Sequence, residues 1–480
     1  MHDLPWREIL FGAYVVWLIA SAVSLLTSRR SPAATLAWIF AFVALPGVSG
    51  VYYWVFGPRR LRRRSRRFVF VRGELAGEVS SYLRASRGEK PKLPPHVRAL
   101  ASVGDRLGQG HPRRASAVRL FCDGDACLGA LAEAIRAARH HVHLEYYIWE
   151  PDRVGTLVRD VLVEARGRGV EVRVLYDAVG SPRARRPFWA PLREAGGQVR
   201  AFNPFRLSPA RIKLANFRTH RKIVVCDGTT GFLGGMNLHD PESATHSGKE
   251  AWRDEHVRVD GEPVRRLQRL FFEGWAFAGG ALSITPESVR LYFPAAAAVL
   301  GPPVQVLASG PADETAPIHA FFLAALSTAR RRVWIETPYL VPDEPLESAL
   351  VVAHLRGVDV RVVVPKEGDS RLVTAASRTY CESLRRAGIA VYEYGPPMLH
   401  AKTMLVDASV AVVGTANLDN RSFRLNFEAA VVLYDPAAVR ELAGRFEADR
   451  AAAGLFPTRR RGPRLTALTE SLARLTSPVL

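Results

Sequence analysis

The chain carries one short pattern twice, as "THRKIVVCDGTTGFLGGMN" at residues 219–237 and as "LHAKTMLVDASVAVVGTAN" at residues 399–417. Each copy has a histidine, a lysine two positions later, an apolar run, an aspartate at a turn, and an asparagine behind a second apolar run. Two apolar runs separated by a turn signal are typical of a β-hairpin. The pattern therefore predicts a hairpin with a His-x-Lys pair at its start in each half of the chain.

The residues that precede the two copies also repeat. "HVHLEYYIWEPD" (141–152) and "RGRGVEVRVLYD" (166–177) precede the first copy, and "RVWIETPYLVPD" (332–343) and "LRGVDVRVVVPK" (355–366) precede the second. The order of strand, helix, Gly-Val turn and strand is typical of βαβ units. We therefore predict an α/β protein of two fused lobes, whose mixed, largely parallel sheets are covered by helices.

Bulk composition limits the kind of protein and the kind of partner. A chain of 480 residues is too long for one ordinary domain, and its 48% of hydrophobic residues is enough for packed cores. Its 66 Lys and Arg against 46 Asp and Glu give a net charge of +20, which favours a phosphate-rich partner, either nucleic acid or an anionic lipid surface. The four cysteines form neither a zinc pattern nor a disulfide framework, and we interpret them as reduced thiols in a cytoplasmic setting.

The N-terminus favours lipid over nucleic acid. Residues 9–27 carry no charge and would reach about 28 Å as a helix, near the thickness of a bilayer core. A second uncharged run at 31–58 ends near an aromatic cluster at 52–54, and Pro46 and Gly47 interrupt it, so it either kinks or re-enters. A cleaved signal peptide is the weaker alternative, because no basic segment precedes the first run. We predict a transmembrane helical hairpin.

An arginine block sets the predicted orientation. Residues 59–67, "RRLRRRSRR", contain seven arginines, and the positive-inside rule keeps such a block in the cytoplasm. The same block also suits anionic headgroups. We therefore predict a multi-pass protein of the cell membrane with its catalytic part on the cytoplasmic side. The predicted parts are a membrane hairpin with a basic juxtamembrane segment (1–67), a linker (68–117), a first lobe (118–285), an inter-lobe linker (286–304), a second lobe (305–455) and a basic amphipathic C-terminal segment (456–480).

The histidines and lysines of the two copies are the first candidate site residues. Side chains alternate between the two faces of a strand, so His220 and Lys222 share a face, as do His400 and Lys402. Burying two lysines without function would be costly. We therefore predict that the two pairs face one cavity.

Four carboxylates have different predicted tasks. Asp227 and Asp407 lie about 23 Å along an extended strand from their histidines, so we expect them to organise the turn and its strand. Asp254 and Glu428 follow the two histidines at comparable distances and are better candidates to hold the imidazoles. Asn237 and Asn417 follow glycine-bearing strands, as candidates to donate hydrogen bonds to a bound phosphate.

This set of groups suits attack on a phosphodiester. One neutral histidine would be the nucleophile, and the other, protonated, would donate to the departing alkoxide. The lysines and asparagines would offset charge on the phosphate oxygens, a role that metals play in other sites. We predict neither a metal nor another cofactor.

H-x-K followed by D and then by G-G/T-x-N, written twice, resembles the phospholipase D superfamily. "WRDEHVRV" (252–259), "VGTANLDNRSFRLNFE" (413–428) and the apolar hairpin resemble bacterial cardiolipin synthases. The resemblance implies a phosphohistidine route from two phosphatidylglycerols to cardiolipin and glycerol, with His220 as nucleophile and His400 as acid, then base, or the reverse. It also implies a catalytic set of His220, Lys222, Asp227, His400, Lys402 and Asp407.

One departure and three alternatives stay open. Residues 238–250 read "LHDPESATHSGKE" where the resemblance leads us to expect a run like "IGDEY", which leaves acceptor preference open. A hydrolase that uses water, a nuclease of the same superfamily and a non-enzymatic lipid-binding protein are the alternatives. We expect phosphatidylglycerol and anionic membrane lipids as partners, and no nucleic acid.

Overall fold

The computed structural model of the chain describes residues 6–27, 32–45, 48–50, 53, 82, 88–204, 216–282, 285–295, 299–313, 315–458 and 464–477. These residues divide into two compact units. The first lies within Met1–Arg60 and Phe205–Asn216, and the second within Leu61–Pro204 and Phe217–Leu480. The arginine block at 59–67 lies outside the described residues, as do Pro46 and Gly47.

The first unit contains two apolar helices, α1 (Trp6–Leu26) and α2 (Pro32–Ala44). They contact each other, because the Tyr14 hydroxyl donates to the Phe42 carbonyl at 2.7 Å and the Phe42 ring packs against Trp17. Within α1, the 19 residues from Glu8 to Leu26 are long and apolar enough to cross a bilayer. At 13 residues α2 spans about 20 Å. The described residues thus contain one candidate membrane-crossing helix, and the second crossing of the predicted hairpin is not shown.

The second unit is built on a 15-stranded sheet with a separate pair of short strands, β10 and β15. The strands are β1 Arg113–Phe121, β2 His141–Tyr146, β3 Glu171–Asp177, β4 Gln198–Phe202, β5 Ile223–Cys226, β6 Thr230–Gly234, β7 His256–Gly261, β8 Pro303–Ser309, β9 Arg332–Glu336, β10 Leu340–Val341, β11 Asp359–Pro365, β12 Ala390–Tyr394, β13 Thr403–Val406, β14 Val410–Gly414, β15 Leu418–Asp419, β16 Glu428–Leu433 and β17 Gly454–Leu455.

The large sheet is mixed but mostly antiparallel. Its order is β17-β12-β11-β9-β13-β14-β16-β8-β1-β7-β6-β5-β2-β3-β4. Only β2–β3, β3–β4, β9–β11 and β11–β12 pair in parallel in this described sheet. The prediction of largely parallel sheets is therefore wrong. The βαβ rhythm revealed the crossovers correctly, but the hairpins β5–β6 and β13–β14 and the strands beyond them pair antiparallel.

The two halves of this sheet have the same strand order. Outward from the β1–β8 pair, one half reads β1-β7-β6-β5-β2-β3-β4 and the other reads β8-β16-β14-β13-β9-β11-β12. One apolar core contains residues of both halves, including Val225, Leu233, Leu405 and Val413. The prediction of two lobes is therefore not confirmed as stated, because the structure shows a repeated half-sheet inside one compact unit.

Helices cover the sheet, and aspartates begin several of them. The Asp152 and Asp343 side chains accept from the backbone amides of Gly155 and Leu346, capping corresponding helices of the two halves. Besides α1 and α2, the described α-helices are α3 Pro95–Gly104, α4 Gly124–Ala137, α5 Arg153–Gly167, α6 Arg186–Glu194, α7 Ala244–Ser247, α8 Val264–Phe277, α9 Pro286–Tyr292, α10 Pro317–Thr328, α11 Glu344–Leu355, α12 Arg371–Arg386, α13 Asn420–Arg424, α14 Pro436–Ala452 and α15 Arg464–Arg474. Asp152 caps α5, and Asp343 caps α11.

Two segments at the edges of the predicted lobes are folded. The described part of the predicted linker 68–117 contains α3, whose Val97 and Leu100 are buried in the core of the second half. In the predicted C-terminal segment, α15 packs against α12 and leaves Leu468 and Leu472 exposed.

Candidate active site

Both His-x-Lys pairs lie directly before a hairpin strand. His220 and Lys222 precede β5, and His400 and Lys402 precede β13. Each histidine is held by the backbone of the opposite half. The amide of His220 donates to the Phe427 carbonyl at 2.9 Å, and the amide of His400 donates to the Arg253 carbonyl at 2.7 Å. These two links bring the pairs into one site.

The two imidazoles contact carboxylates in a crossed arrangement. His220 Nδ1 lies 3.1 Å from the Glu428 carboxylate, and His400 Nδ1 lies 2.6 Å from Asp254 Oδ2. Each carboxylate therefore holds the histidine of the other half. His220 Nδ1 also lies 2.9 Å from the Thr415 carbonyl. A carbonyl only accepts, so Nδ1 carries the hydrogen and Nε2 is free to act as a nucleophile.

The carboxylates are supported differently in the two halves. A Cβ at Gly235 would lie 2.0 Å from Asp254 Oδ1, so this position needs glycine. The corresponding Thr415 has a side chain, and its hydroxyl donates to Glu428 Oε2. The motif thus has glycine at the position that faces Asp254 and threonine at the position that faces Glu428.

Both lysines are buried in the site. Lys222 Nζ donates to the His220 carbonyl at 2.9 Å, and Lys402 Nζ donates to the His400 carbonyl. Lys402 Nζ also lies 3.7 Å from Asp254. Burial, followed by repulsion from Lys402, lowers the pKa of Lys222 to about 7. Burial also lowers the pKa of Lys402, and Asp254 opposes that shift. The repulsion of Lys222 by Lys402 places the two amino groups in the same electrostatic environment.

The pKa values of the two imidazoles are also shifted by burial. Burial lowers the pKa of His220, while Glu428 opposes the shift. Burial and then Lys402 lower the pKa of His400 well below its usual value. Desolvation raises the pKa of Asp254. Burial alone would raise the pKa of Glu428, but the contact with His220 and the charge of Lys222 bring it below its usual value. A site without bound anion therefore favours neutral imidazoles.

The two asparagines are buried at the same site. Asn237 Oδ1 accepts from the Ile148 amide at 3.2 Å, and its Nδ2 makes no hydrogen bond within the described residues. Asn417 Nδ2 instead donates to Asp419 at 3.3 Å. Asn237 thus has a free amide donor in this structure, whereas Asn417 uses its donor locally.

The motif aspartates do not contact the histidines. Asp227 accepts from the backbone amides of residues 139–141, at the start of β2, and Asp407 accepts from those of residues 330–332, at the start of β9. Both have positive φ, 52° and 53°. Their geometry is that of residues that organise the hairpin turn and fix it to the neighbouring strand.

Three site residues were not predicted from the sequence. The Tyr147 ring lies 4.8 Å from the His220 ring, and the Trp252 ring lies 4.9 Å from the His400 ring. Potential ligand atoms of Glu242, Asp254 and His400 lie within 4.8 Å of one another, a grouping that could hold a cation. Asp254 there already contacts the His400 and Lys402 nitrogens. A position-by-position comparison of the two halves would have singled out Glu242.

The comparisons with known proteins agree with this geometry. The family model "Cardiolipin synthase, PLD-like domain" matches residues 131–251 and 322–450, one stretch in each half. The repeated sheet with a doubled His-Lys site thus defines a phospholipase D-like protein. Phosphatidylserine synthase from Haemophilus influenzae shares the fold, with a TM-score of 0.61 and 15% identity over 80% of this chain and all of that one.

Full-length relatives identify the family more narrowly. Cardiolipin synthase of Geobacillus sp. (strain WCH70) is 37% identical over 98% of this chain and 93% of its own. Cardiolipin synthase 1 of Bacillus anthracis is 36% identical over 91% of this chain and 87% of its own. The chain belongs to the cardiolipin synthase family, whose members are phosphatidyltransferases of the phospholipase D superfamily.

Proposed function

We propose that the chain is a cardiolipin synthase that transfers a phosphatidyl group from one phosphatidylglycerol to a hydroxyl of another. The observation that carries the proposal is the crossed pair of buried imidazoles, each held by a carboxylate of the opposite half, with two buried lysines beside them. Such a site provides a nucleophile, an acid and positive charge for a phosphodiester without requiring a metal.

In the first step, His220 Nε2 attacks the phosphorus of the donor lipid, and the bond from phosphorus to the glycerol oxygen breaks. The Nδ1 hydrogen of His220 faces Glu428 and the Thr415 carbonyl, which stabilise the charge that develops on the ring. His400 gives its proton to the departing glycerol oxygen. The product is a phosphatidyl group bound to His220.

Proton transfer by His400 requires that it be charged when substrate is bound. Burial, followed by the charge of Lys402, lowers the pKa of the ring well below its usual value, but Asp254 contacts the ring, and the charges of Glu242 and Asp369 oppose the lowering. A bound phosphodiester anion adds further negative charge and raises that pKa again. The concentration of carboxylates around His400 supports its assignment as acid and that of His220 as nucleophile.

In the second step, the primary hydroxyl of another phosphatidylglycerol occupies the place that glycerol left. His400, now neutral, takes the hydroxyl proton, the oxygen attacks phosphorus, and the bond from phosphorus to His220 breaks. Lys222, Lys402 and the free Nδ2 of Asn237 offset charge on the phosphate oxygens in both steps. The site then returns to its starting protonation state.

We also propose where this reaction takes place. The apolar helix α1 anchors the chain in the cell membrane, and the second apolar segment crosses or re-enters. The arginine block keeps the catalytic unit on the cytoplasmic side, next to anionic lipid. We also propose that each half-sheet forms one of the two predicted lobes, residues 118–285 and 305–455, with β1 and β8 beginning a few residues earlier, at Arg113 and Pro303. We expect a protease to cleave a carboxyl-terminal tag in inverted membrane vesicles but not in intact spheroplasts.

Product analysis tests the reaction. The full chain in vesicles of phosphatidylglycerol with a chelator should yield cardiolipin and glycerol in equal amounts, measured by mass spectrometry. Phosphatidic acid as the main product would instead show a hydrolase. His220→Ala and His400→Ala should each abolish turnover, and turnover that survives either substitution contradicts the two-histidine scheme.

A further inference from the structure

The loop after the first motif departs from the repeat at one position. The backbone amide of Asn237 donates to Glu242 Oε1 at 2.9 Å, and the backbone amide of Asn417 donates to Ser422 Oγ at 3.1 Å. Both acceptors lie five residues after their asparagine. Glu242 thus holds the place of Ser422 in the first half, but with a longer side chain that carries a second oxygen.

That carboxylate reaches the reacting groups. A Glu242 oxygen lies within 4.8 Å of the ligand atoms of Asp254 and His400. Burial lowers the pKa values of His400 and Lys402, and Glu242 is among the carboxylates that oppose both shifts. Glu242 is 2% exposed, and its Oε2 makes no hydrogen bond to any described residue.

A further polar group lies beside this carboxylate without a hydrogen bond of its own. His239 Nε2 lies 3.4 Å from Glu242 Oε1 and makes no hydrogen bond within the described residues. The Trp252 ring lies 5.0 Å from His239 and 4.9 Å from His400, and so forms an aromatic wall between them. Buried polar groups normally find partners, so this cluster fits a polar ligand.

The second half does not repeat this arrangement. Asp419 there accepts from Asn417 Nδ2 at 3.3 Å and from the Ser422 amide at 2.6 Å. A carboxylate repels phosphate, so the lysines fit the phosphate of a headgroup and Glu242 fits its hydroxyl end. Asn417 Oδ1 also makes no hydrogen bond to the described residues, but the unpaired oxygen of Glu242 is the one that lies next to His400.

We propose that Glu242 and His239 form a polyol subsite that binds the second hydroxyl of a glycerol headgroup while His400 acts on the primary hydroxyl. The proposal rests on the transfer chemistry proposed above. Glycerol leaves from this place in the first step and the acceptor enters it in the second, so the subsite selects glycerol in both. Glu242 Oε2 accepts the hydroxyl hydrogen, and His239 Nε2 contacts the hydroxyl oxygen.

Competition between two soluble alcohols tests the subsite. The full-length protein in detergent micelles receives phosphatidylglycerol, a chelator, and equal concentrations of deuterated glycerol and 1-propanol, and the two phosphatidyl products are measured by mass. We expect the wild type to favour glycerol at least tenfold, because one hydrogen bond to a charged group contributes about that factor. Glu242→Gln retains an oxygen for the Asn237 amide and should bring the ratio about tenfold closer to one.

Matched variants separate selection from positioning. Ser422→Ala removes the corresponding contact in the second half and should leave the glycerol preference unchanged. His239→Ala should lower the preference as Glu242→Gln does, and it decides the question if the Gln variant does not fold. Equal loss of both products in Glu242→Gln, or a preference that appears only with added Mg²⁺ in place of the chelator, would overturn the subsite. Transfer to alcohols without cardiolipin formation would refute the proposed function and leave the subsite standing, whereas a wild type that forms cardiolipin but shows no preference for glycerol would refute the subsite alone.

Discussion

Replacing one carboxylate at a time should separate the roles of the two histidines. Asp254→Asn weakens the 2.6 Å contact with His400 and removes the charge beside Lys402. Glu428→Gln weakens the 3.1 Å contact with His220. Because the pairing is crossed, each substitution affects the histidine that lies in the other half of the sequence.

The expected magnitude follows from the contacts. A hydrogen bond to a charged group contributes about 1.5–3 kcal/mol. Each 1.36 kcal/mol is a factor of ten in rate, so either substitution should lower kcat by about 10- to 150-fold. Both carboxylates are 0% exposed, so solvent does not compensate for the loss.

The assay compares two donors. Phosphatidylglycerol needs a proton on its leaving glycerol, whereas an analogue that releases p-nitrophenolate does not, because this leaving group is stable as an anion. With the analogue, the first-turnover burst of Asp254→Asn should return to near the wild-type rate, while that of Glu428→Gln should stay slow. Thermal melts control for folding.

Two results would refute the reasoning. Rescue of Glu428→Gln alone would reverse the assignment of nucleophile and acid. Equal behaviour of both variants with both donors would mean that the crossed contacts do not set the roles of the two imidazoles.

Three other substitutions are informative. Gly235→Ala places a Cβ 2.0 Å from an Asp254 oxygen and should lower kcat at least tenfold in the lipid assay. The double variant Gly235→Thr, Asp254→Glu copies the second half and should recover part of the lost activity. Full activity of the single variant would contradict the geometry. Lys222→Met should abolish transfer yet raise Tm. The pKa of Lys222 is about 7 in the folded chain and 10.5 in the unfolded chain, so the wild type becomes more stable as pH rises between these two values. The increase in Tm of the Met variant over the wild type should therefore be larger at pH 6 than at pH 9. An increase that does not depend on pH would argue against a lowered pKa. Asp407→Asn tolerates the same positive φ but weakens the contacts to three backbone amides. It should lower the free energy of unfolding by about 1–3 kcal/mol and change kcat less than twofold. A large loss of kcat would assign Asp407 a direct catalytic role.

Much of the fold could be predicted from local patterns. The alternation of apolar residues and the Gly-Val turns indicated the βαβ units, and Asp227-Gly228 indicated the hairpin that joins β5 to β6. Strand direction across the whole sheet was predicted wrongly. The pairing of β1 with β7 and β8 joins segments far apart in the chain, and no local pattern encodes it.

The sequence by itself determined which groups are present, because residue spacing along an extended chain is local: two His-x-Lys pairs, two later carboxylates and two asparagines. Only the tertiary structure decided which carboxylate meets which histidine. His220 and Glu428 are 208 residues apart, and Asp254 and His400 are 146 apart. Their contacts depend on backbone links between the halves, which form only when both halves pack on their shared core. The same packing brings Glu242 to His400, a placement that follows from the shape of the folded loop.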